Sequence, residues 1–196
     1  MTQERERAVA AAVELSRRLS GPRLTDDLAR EVAGMLEVLV AGMPAVASRF
    51  TAAEREAFAA GHGDVDARGT HPVRGAHSPT AAQVRAVPDG LVVRFDVRHE
   101  GVPGQVHGSF VAGFFDVALG LLAIEQVGAG VTAELSVQFR RPVPINHDVL
   151  YRGAVVRREG RNTFVEGSAV IEDAGGETEA ATASIRFVHP REAGSA

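Results

Sequence analysis

The residues that could do chemistry lie in one short segment of the chain. Asp116 is the only charged residue in residues 110–124, where all its neighbours are apolar or glycine. A helix that is apolar on every face is normally buried, and burying an unpaired carboxylate costs several kcal/mol unless the site uses or neutralises it. Asp116 is therefore predicted to take part in chemistry, and accepting a proton is the reaction that suits a carboxylate in apolar surroundings.

Composition excludes several other kinds of chemistry. The chain contains no cysteine, which rules out thiol catalysis, Cys-ligated zinc and disulfides. Every basic residue other than histidine is arginine, which rules out a lysine Schiff base. His62, His71 and His77, together with Asp64 and Asp66, match no standard metal-ligand spacing. We therefore expect no metal.

The length and charge of the chain limit its partners. It has 196 residues, enough for one domain with an extension, and a formal net charge of -4. Charges of both signs are dispersed, so there is no basic face for nucleic acid and no polybasic patch for a membrane. The longest apolar run, 117–124, is too short to span a bilayer, and the N-terminus lacks an apolar signal core. We expect a cytoplasmic protein without nucleic-acid or membrane partners.

Residues 1–60 are predicted to form a helical N-terminal extension. Apolar residues recur at three- and four-residue spacing from Leu24 to Leu39, and Thr25 is placed to cap this helix. A single apolar stripe needs a partner surface, so the extension is expected to dock on the following domain or on a neighbouring subunit. Residues 61–79 are rich in glycine and proline, which predicts a linker and a domain boundary.

Beyond the linker the apolar period changes from that of a helix to that of a strand. Residues 131–140 form the clearest predicted strand, in which every second side chain is apolar and would lie on one buried face. Further strands are predicted at 82–87, 91–98, 149–158, 163–172 and 178–188. The order is strand, strand, apolar helix and a four-stranded meander, which predicts an α+β fold with an antiparallel sheet wrapped around one central helix. This domain would occupy residues 80–189, followed by a C-terminal tail at 190–196.

Three motifs in this domain stand at informative spacings. The chain reads Gly104-Gln-Val-His-Gly-Ser109, then Asp116, then a strand that begins Val131-Thr132 and ends Phe139-Arg-Arg-Pro-Val-Pro144. Over about residues 80–189 this set resembles the hotdog-fold acyl-CoA thioesterases of the phenylacetate-pathway and thioesterase-superfamily type. The resemblance implies a hotdog fold and hydrolysis of an acyl-CoA thioester to free acid and CoA without a cofactor.

The resemblance also implies roles for three residues. Asp116 would be the catalytic carboxylate, acting as general base on water or as nucleophile. Gly108 would supply the backbone N–H that polarises the thioester carbonyl, since a helix N-terminus presents unpaired donors. Thr132 would orient the water or the carboxylate from the facing subunit. On structural grounds alone, Asp116 could instead pair with an arginine, and Thr132 is an ordinary strand residue.

Two positions depart from the family pattern. Some members carry asparagine or glutamine six residues before the motif histidine, where this chain has Gly101, so whatever that side chain contributes is missing. The chain also reads His-Gly-Ser where His-Gly-Gly is usual, and Ser109 is tolerable because serine suits a helix cap. Both His107 and Ser109 are assigned to the substrate site. For His107 a structural role is the stronger expectation, in which its hydrogen bonds fix the loop before the helix.

Arg158 and Arg161 are predicted to contact the CoA nucleotide. Guanidinium groups bind phosphates well, and arginines 140, 141, 157, 158 and 161 cluster at predicted strand ends. The resemblance favours the pair that flanks the Glu159-Gly160 turn, because this connection often contacts the nucleotide in the family.

The resemblance further implies an oligomer, and it leaves alternative functions open. Family members dimerise so that two sheets become continuous, with active sites at the interface, which predicts a homodimer or homotetramer.

The alternative functions are a non-catalytic acyl-CoA-binding regulator and a thioesterase acting on a carrier-protein thioester. Residues 1–80 contain ten arginines against eleven acidic residues, which disfavours a regulator with a DNA-binding extension. A hotdog hydratase is disfavoured because position 121, where that subclass places a histidine, is Leu121.

Overall fold

The chain divides into two compact units, Met1–Pro79 and Thr80–Ala196. The computed structural model describes residues 3–19, 23–43, 80–128, 130–173 and 175–189, with single positions at 52, 53, 56, 73 and 78. Apart from positions 73 and 78, the predicted linker at 61–79 lies outside the described residues, as does the predicted tail at 190–196. The boundaries of these two segments stay a prediction.

The first unit contains two described helices, α1 (Gln3–Leu19) and α2 (Asp26–Ala41). Thr25 caps α2 as predicted, because its Oγ1 accepts a hydrogen bond from the Leu28 N–H at 3.3 Å. No residue of α2 is buried in the described part of the chain, and Val32 and Leu36 of its apolar stripe are half-buried. Docking of this stripe on another surface stays a prediction.

The second unit contains a six-stranded antiparallel sheet wrapped around one helix, which confirms the predicted fold class. Its elements are β1 (Gln83–Val87), β2 (Gly90–Arg94), α3 (Gly108–Val127), β3 (Val131–Phe139), β4 (Asp148–Glu159), β5 (Asn162–Asp173) and β6 (Gly176–Val188). The strand order is β1-β2-β4-β5-β6-β3. The predicted four-stranded meander is therefore wrong for β3, which crosses to the far edge and pairs with β6.

Helix α3 supplies one side of the core. It packs against β4, β5, β6 and β3, and its buried residues are Val111, Phe114, Phe115, Val117, Ala118, Leu119 and Ala123. Two cross-strand glycines, Gly153 and Gly167, let the sheet approach this helix, since an added Cβ would lie 2.4 Å and 2.6 Å from the Leu119 Cδ2. The helix is long and apolar enough to cross a membrane by length and composition, but packing inside a sheet is the usual reason for such a core helix.

Two predicted strands differ from the structure. The strand predicted at 91–98 ends at Arg94, and a short 3-10 helix follows at Val97–His99. The cause is a local cap, because the Asp96 carboxylate accepts from the Arg98 N–H and the His99 ring accepts from the Asp96 N–H. The buried face predicted for β3 is also wrong. This strand lies at the sheet edge, where Val131 and Phe139 are more than half exposed.

Candidate active site

The carboxylate of Asp116 is joined to strand β3 by a hydrogen bond. The Thr132 hydroxyl donates to Asp116 Oδ1 at 2.6 Å, a short distance typical of a bond to a charged acceptor. Asp116 is half-buried rather than enclosed, because its face of α3 is only partly covered within one chain. The expectation that Thr132 acts from the facing subunit is therefore wrong, since both partners belong to the same chain.

A β-bulge at Ala133 places Thr132 on the helix side of the sheet. Thr132 pairs with Phe187 and Glu134 pairs with Arg186, so Ala133 is an extra residue without a partner in β6. Strict alternation would put Thr132 on the face opposite Leu135, away from the helix. The bulge reverses the alternation locally and aims the hydroxyl at Asp116.

The N-terminus of α3 is capped by the motif histidine. His107 is the N-cap residue, and its Nδ1 accepts from the Ser109 N–H at 3.2 Å and lies 2.7 Å from Ser109 Oγ. Ser109, where the family usually has glycine, thus contacts the capping histidine through both its backbone N–H and its hydroxyl. Gly108 follows as the first helical residue, where the backbone N–H has no acceptor inside the helix.

The loop before this cap is fixed by backbone hydrogen bonds. The Val106 N–H donates to Val143 O at 2.8 Å, and the Ile145 N–H donates to Gly104 O at 3.0 Å. Gly101 lies against the cap itself, because a Cβ at this position would stand 2.9 Å from the His107 Cα. The close approach of His107 explains why position 101 carries glycine here rather than a side chain that could reach the substrate.

His99 contacts the capping residue His107 and the first turn of α3. The sequence did not predict this role for His99. It is fully buried, its carbonyl accepts from the His107 N–H at 2.8 Å, and its ring packs edge-on against Phe110 in the first turn of α3.

Asp96 and Arg98 stabilise the 3-10 turn that contains His99. Burial opposes ionisation of Asp96, but the hydrogen bonds from Arg98 outweigh it and hold the pKa of this carboxyl below its usual range. An aspartate three residues before a histidine was the only sequence signal for this turn.

Gly108 and Asp116 do not meet within one chain. They are eight residues apart in a helix, which separates them by about 12 Å along its axis. A donor and an attacking group acting on one carbonyl need to lie within about 3.5 Å of the reacting atoms. Gly108 instead lies beside Phe139 at the far end of β3, where an added Cβ would stand 3.2 Å from the Phe139 Cζ.

The predicted phosphate-binding arginines lie at the opposite end of the sheet from Gly108. Arg158 is exposed at the β4–β5 turn, and Arg161 donates through Nε to His189 O at 2.8 Å. This turn neighbours the start of β3, because Val188 of β6 pairs with both Asn162 and Val131. Within the described residues no group of three or more His, Cys, Asp or Glu side chains could hold a metal ion.

Comparisons with known proteins identify relatives of part of the chain. Residues 103–177 match the family model described as the thioesterase superfamily. The mouse protein named acyl-coenzyme A thioesterase THEM4 is 38% identical over 66 residues, which cover 34% of this chain and 28% of the mouse protein. The bovine protein of the same name is 39% identical over 66 residues, covering 34% and 27%. The chain thus spans less than a third of the length of these curated relatives.

Solved structures extend the comparison to nearly the whole chain. A protein described as a thioesterase superfamily protein aligns with a TM-score of 0.68 and 26% identity, covering 93% of this chain and 89% of its own. Zebrafish thioesterase superfamily member 2 aligns with a TM-score of 0.50 and 18% identity over 68% of this chain and 94% of its own, which bears on the fold alone. The second unit is a hotdog domain. Its matched segment is of the thioesterase-superfamily type, as the motifs predicted.

Proposed function

We propose that this protein hydrolyses an acyl-CoA thioester to the free acid and CoA, with Asp116 as the catalytic carboxylate. The observation that carries the proposal is the 2.6 Å hydrogen bond from the Thr132 hydroxyl to Asp116 Oδ1. It holds one carboxylate oxygen in place on an apolar helix and leaves the other free to face a substrate. The names of the curated relatives, acyl-coenzyme A thioesterases, support the same reaction.

The reaction needs a group that activates water and a donor for the carbonyl oxygen. Asp116 takes a proton from water while the water oxygen bonds to the thioester carbon. The C–S bond then breaks, and the leaving sulfur recovers the proton from Asp116. Direct attack by the carboxylate, followed by hydrolysis of the resulting anhydride, is the second route open to the same group.

A second copy of the chain completes the site in this proposal. Strand β3 is paired only with β6 in the described part of the chain, so its outer edge is open to another strand. When two copies of β3 pair antiparallel, the Phe139 end of one strand lies beside the Thr132 end of the other. Gly108 of the partner subunit is thereby brought toward Asp116, and its N–H polarises the thioester carbonyl. The smallest active unit is a homodimer, and a homotetramer would contain two such pairs.

Arg158 and Arg161 are the proposed contacts of the CoA nucleotide on the subunit that supplies Asp116. Both lie at the Thr132 end of the sheet, where the turn between β4 and β5 adjoins the start of β3. A guanidinium binds phosphate through parallel N–H donors, whereas the Arg161 Nε is already engaged with a backbone carbonyl. Arg158 is therefore the freer of the two side chains.

The test is a free-thiol assay with short, medium, long and aryl acyl-CoA substrates on the wild type and Asp116→Asn. Asparagine is close in shape to aspartate but can neither accept the proton nor attack, so turnover should fall at least about a hundredfold. Folding and substrate affinity should stay close to the wild-type values, which thermal melting and calorimetry with an acyl-CoA would report.

Other outcomes separate the alternative functions. Tight acyl-CoA binding without hydrolysis by the wild type would favour the non-catalytic regulator. Hydrolysis confined to acyl groups carried on an acyl carrier protein would favour the carrier-protein thioesterase. Near-wild-type turnover by Asp116→Asn would remove the catalytic assignment.

A further inference from the structure

A cleft opens at the N-terminus of α3, beside the proposed oxyanion donor. It has a volume of about 380 Å³. Among the residues that line it are Gln105, Gly108, Val111, Phe139, Arg141 and Val143. No acidic residue lines this cleft. The partial positive charge of the helix N-terminus adds to its cationic character.

Two arginines border the cleft, and they differ in their partners. Arg140 is already neutralised, because its Nε lies 3.2 Å from Glu179 Oε1 and its Nη2 donates to Gln138 Oε1 at 3.2 Å. The guanidinium of Arg141 has no ion-pair partner in the part of the chain that the structure describes. An unpaired guanidinium in a cleft without acidic side chains favours an anionic ligand.

The backbone beneath Arg141 is firmly held. Its N–H donates to Ala180 O at 3.0 Å, and Ala180 is fully buried in β6. Pro142 follows directly and restricts the chain to an extended conformation at Arg141. The Cα of Arg141 therefore starts from a fixed position, so binding a ligand must order the side chain but not the backbone.

We propose that Arg141 binds the phosphate at the end of the phosphopantetheine arm of the substrate. This inference rests on the proposed function, which places the thioester carbonyl at the Gly108 N–H of the same subunit. The pantetheine arm then leaves through the cleft that Arg141 borders. The phosphate ends this arm both in CoA and in an acyl carrier protein, so the site recognises a chemistry common to the two carriers. Arg141 is thus a specificity-determining residue on the subunit opposite Asp116.

The experiment compares three thioesters of one acyl group: acyl-pantetheine, acyl-phosphopantetheine and acyl-CoA. Arg141→Ala should raise the KM for the two phosphorylated substrates by roughly tenfold or more, because a hydrogen bond to a charged group is lost. The KM for acyl-pantetheine should not change. Arg141→Lys, which keeps the charge but loses the planar fork, should give an intermediate KM.

Arg85→Ala is the matched control. It removes the same charge from β1, the strand at the opposite edge of the sheet from β3, where an exposed Arg85 guanidinium lies 3.9 Å from the Asp148 carboxylate. Its KM should match the wild type for all three substrates.

Three results would overturn the inference. An equal rise in KM for all three thioesters would mean that Arg141 only supports the local structure. A rise for acyl-CoA alone would place Arg141 at the nucleotide rather than at the pantetheine phosphate. No rise for any substrate would exclude a role in binding.

A binding measurement keeps the inference separate from the proposed function. Calorimetry with unacylated phosphopantetheine and pantetheine needs no hydrolysis, so it stays decisive even if the wild type hydrolyses none of the thioesters. The wild type should prefer phosphopantetheine, and Arg141→Ala should lose that preference. Equal affinity of the wild type for the two ligands would contradict the inference, whatever the outcome for hydrolysis.

Discussion

At the scale of single residues, the proposed site depends on the hydrogen bond between Thr132 and Asp116. A hydroxyl that donates to a carboxylate contributes about 1.5–3 kcal/mol. The structure places both residues in one chain, with 2.6 Å between the oxygens. The carboxylate has no charged neighbour in its helix, but in the structure it has a hydroxyl partner, and that partner leaves its second oxygen available.

We predict that Thr132→Val lowers kcat by about 10- to 100-fold, since the shape is kept and the donor is lost. Thr132→Ser, which keeps the hydroxyl, should remain within a few-fold of the wild type. Steady-state kinetics of both variants and of the double variant Asp116→Asn with Thr132→Val would test the coupling. If Thr132 acts only through Asp116, the valine adds no further loss in the asparagine background.

Tyr151 gives a second prediction at this scale, because it is the only tyrosine and the chain has no tryptophan. It is fully buried, its hydroxyl donates to Val111 O at 3.4 Å, and burial raises the pKa of the Tyr151 hydroxyl above its usual range. The folded state therefore keeps a proton that the unfolded state loses near pH 10, so the free energy of unfolding should fall as pH rises above about 10.

The measurement is an alkaline titration that follows tyrosinate absorbance together with far-ultraviolet circular dichroism. We expect absorbance to rise only where the dichroism of the folded state is lost. Ionisation near pH 10 with an intact fold would contradict the burial of Tyr151.

At the scale of elements, β3 is decisive because its bulge sets the direction of Thr132. The extra residue Ala133 lies between two positions that pair in register with β6. Deleting Ala133 should remove the bulge and place Thr132 directly before Glu134, where it stays opposite Phe187 on the helix side of the sheet. We predict that kcat of this deletion variant falls less than that of Thr132→Val, because the hydroxyl still faces Asp116.

Thermal melting and sedimentation of the deletion variant serve as its controls. The strand keeps its apolar positions 135, 137 and 139 in register with β6, so the fold and the proposed dimer should persist. A loss of kcat as large as that of Thr132→Val would show that facing the helix is not enough and that the bulge itself brings the hydroxyl to Asp116.

At the scale of the whole molecule, the proposal requires two chains for one site. Gly108→Pro removes the N–H of interest, and proline suits this first helical position. His107 has φ -63° and ψ 134°, which the residue before a proline adopts readily. Gly108→Ala is the matched control, because it adds a Cβ against the same Phe139 ring but keeps the N–H.

We predict that Gly108→Pro and Asp116→Asn are each nearly inactive as pure proteins and that mixing them restores activity. A heterodimer contains one site with both defects and one intact site, so random exchange of equal amounts should recover about a quarter of wild-type activity. Thiol release after dissociation and reassociation of the mixed subunits provides the measurement. If no activity returns while mass analysis detects heterodimers, the site does not combine Gly108 and Asp116 from different chains.

The sequence by itself determined the class of fold and the candidate residues of the site. The change of apolar period and the single charge in an apolar helix identified a sheet around α3 with Asp116 on it. These signals are local, because each depends on side-chain spacing within one element. The cap at Thr25 was predictable for the same reason, and the motif around His107 marked the start of α3.

Tertiary structure alone decided which elements are neighbours and which way their side chains point. The position of β3 at the sheet edge depends on pairing with β6, more than forty residues later in the chain. The bulge at Ala133 reverses an alternation that the sequence displays without interruption, and it reassigns Thr132 from the facing subunit to the same chain. His99 gave almost no signal because its role comes from long-range contacts. Such pairings are fixed by the packing of the whole sheet against α3, and local sequence does not encode them.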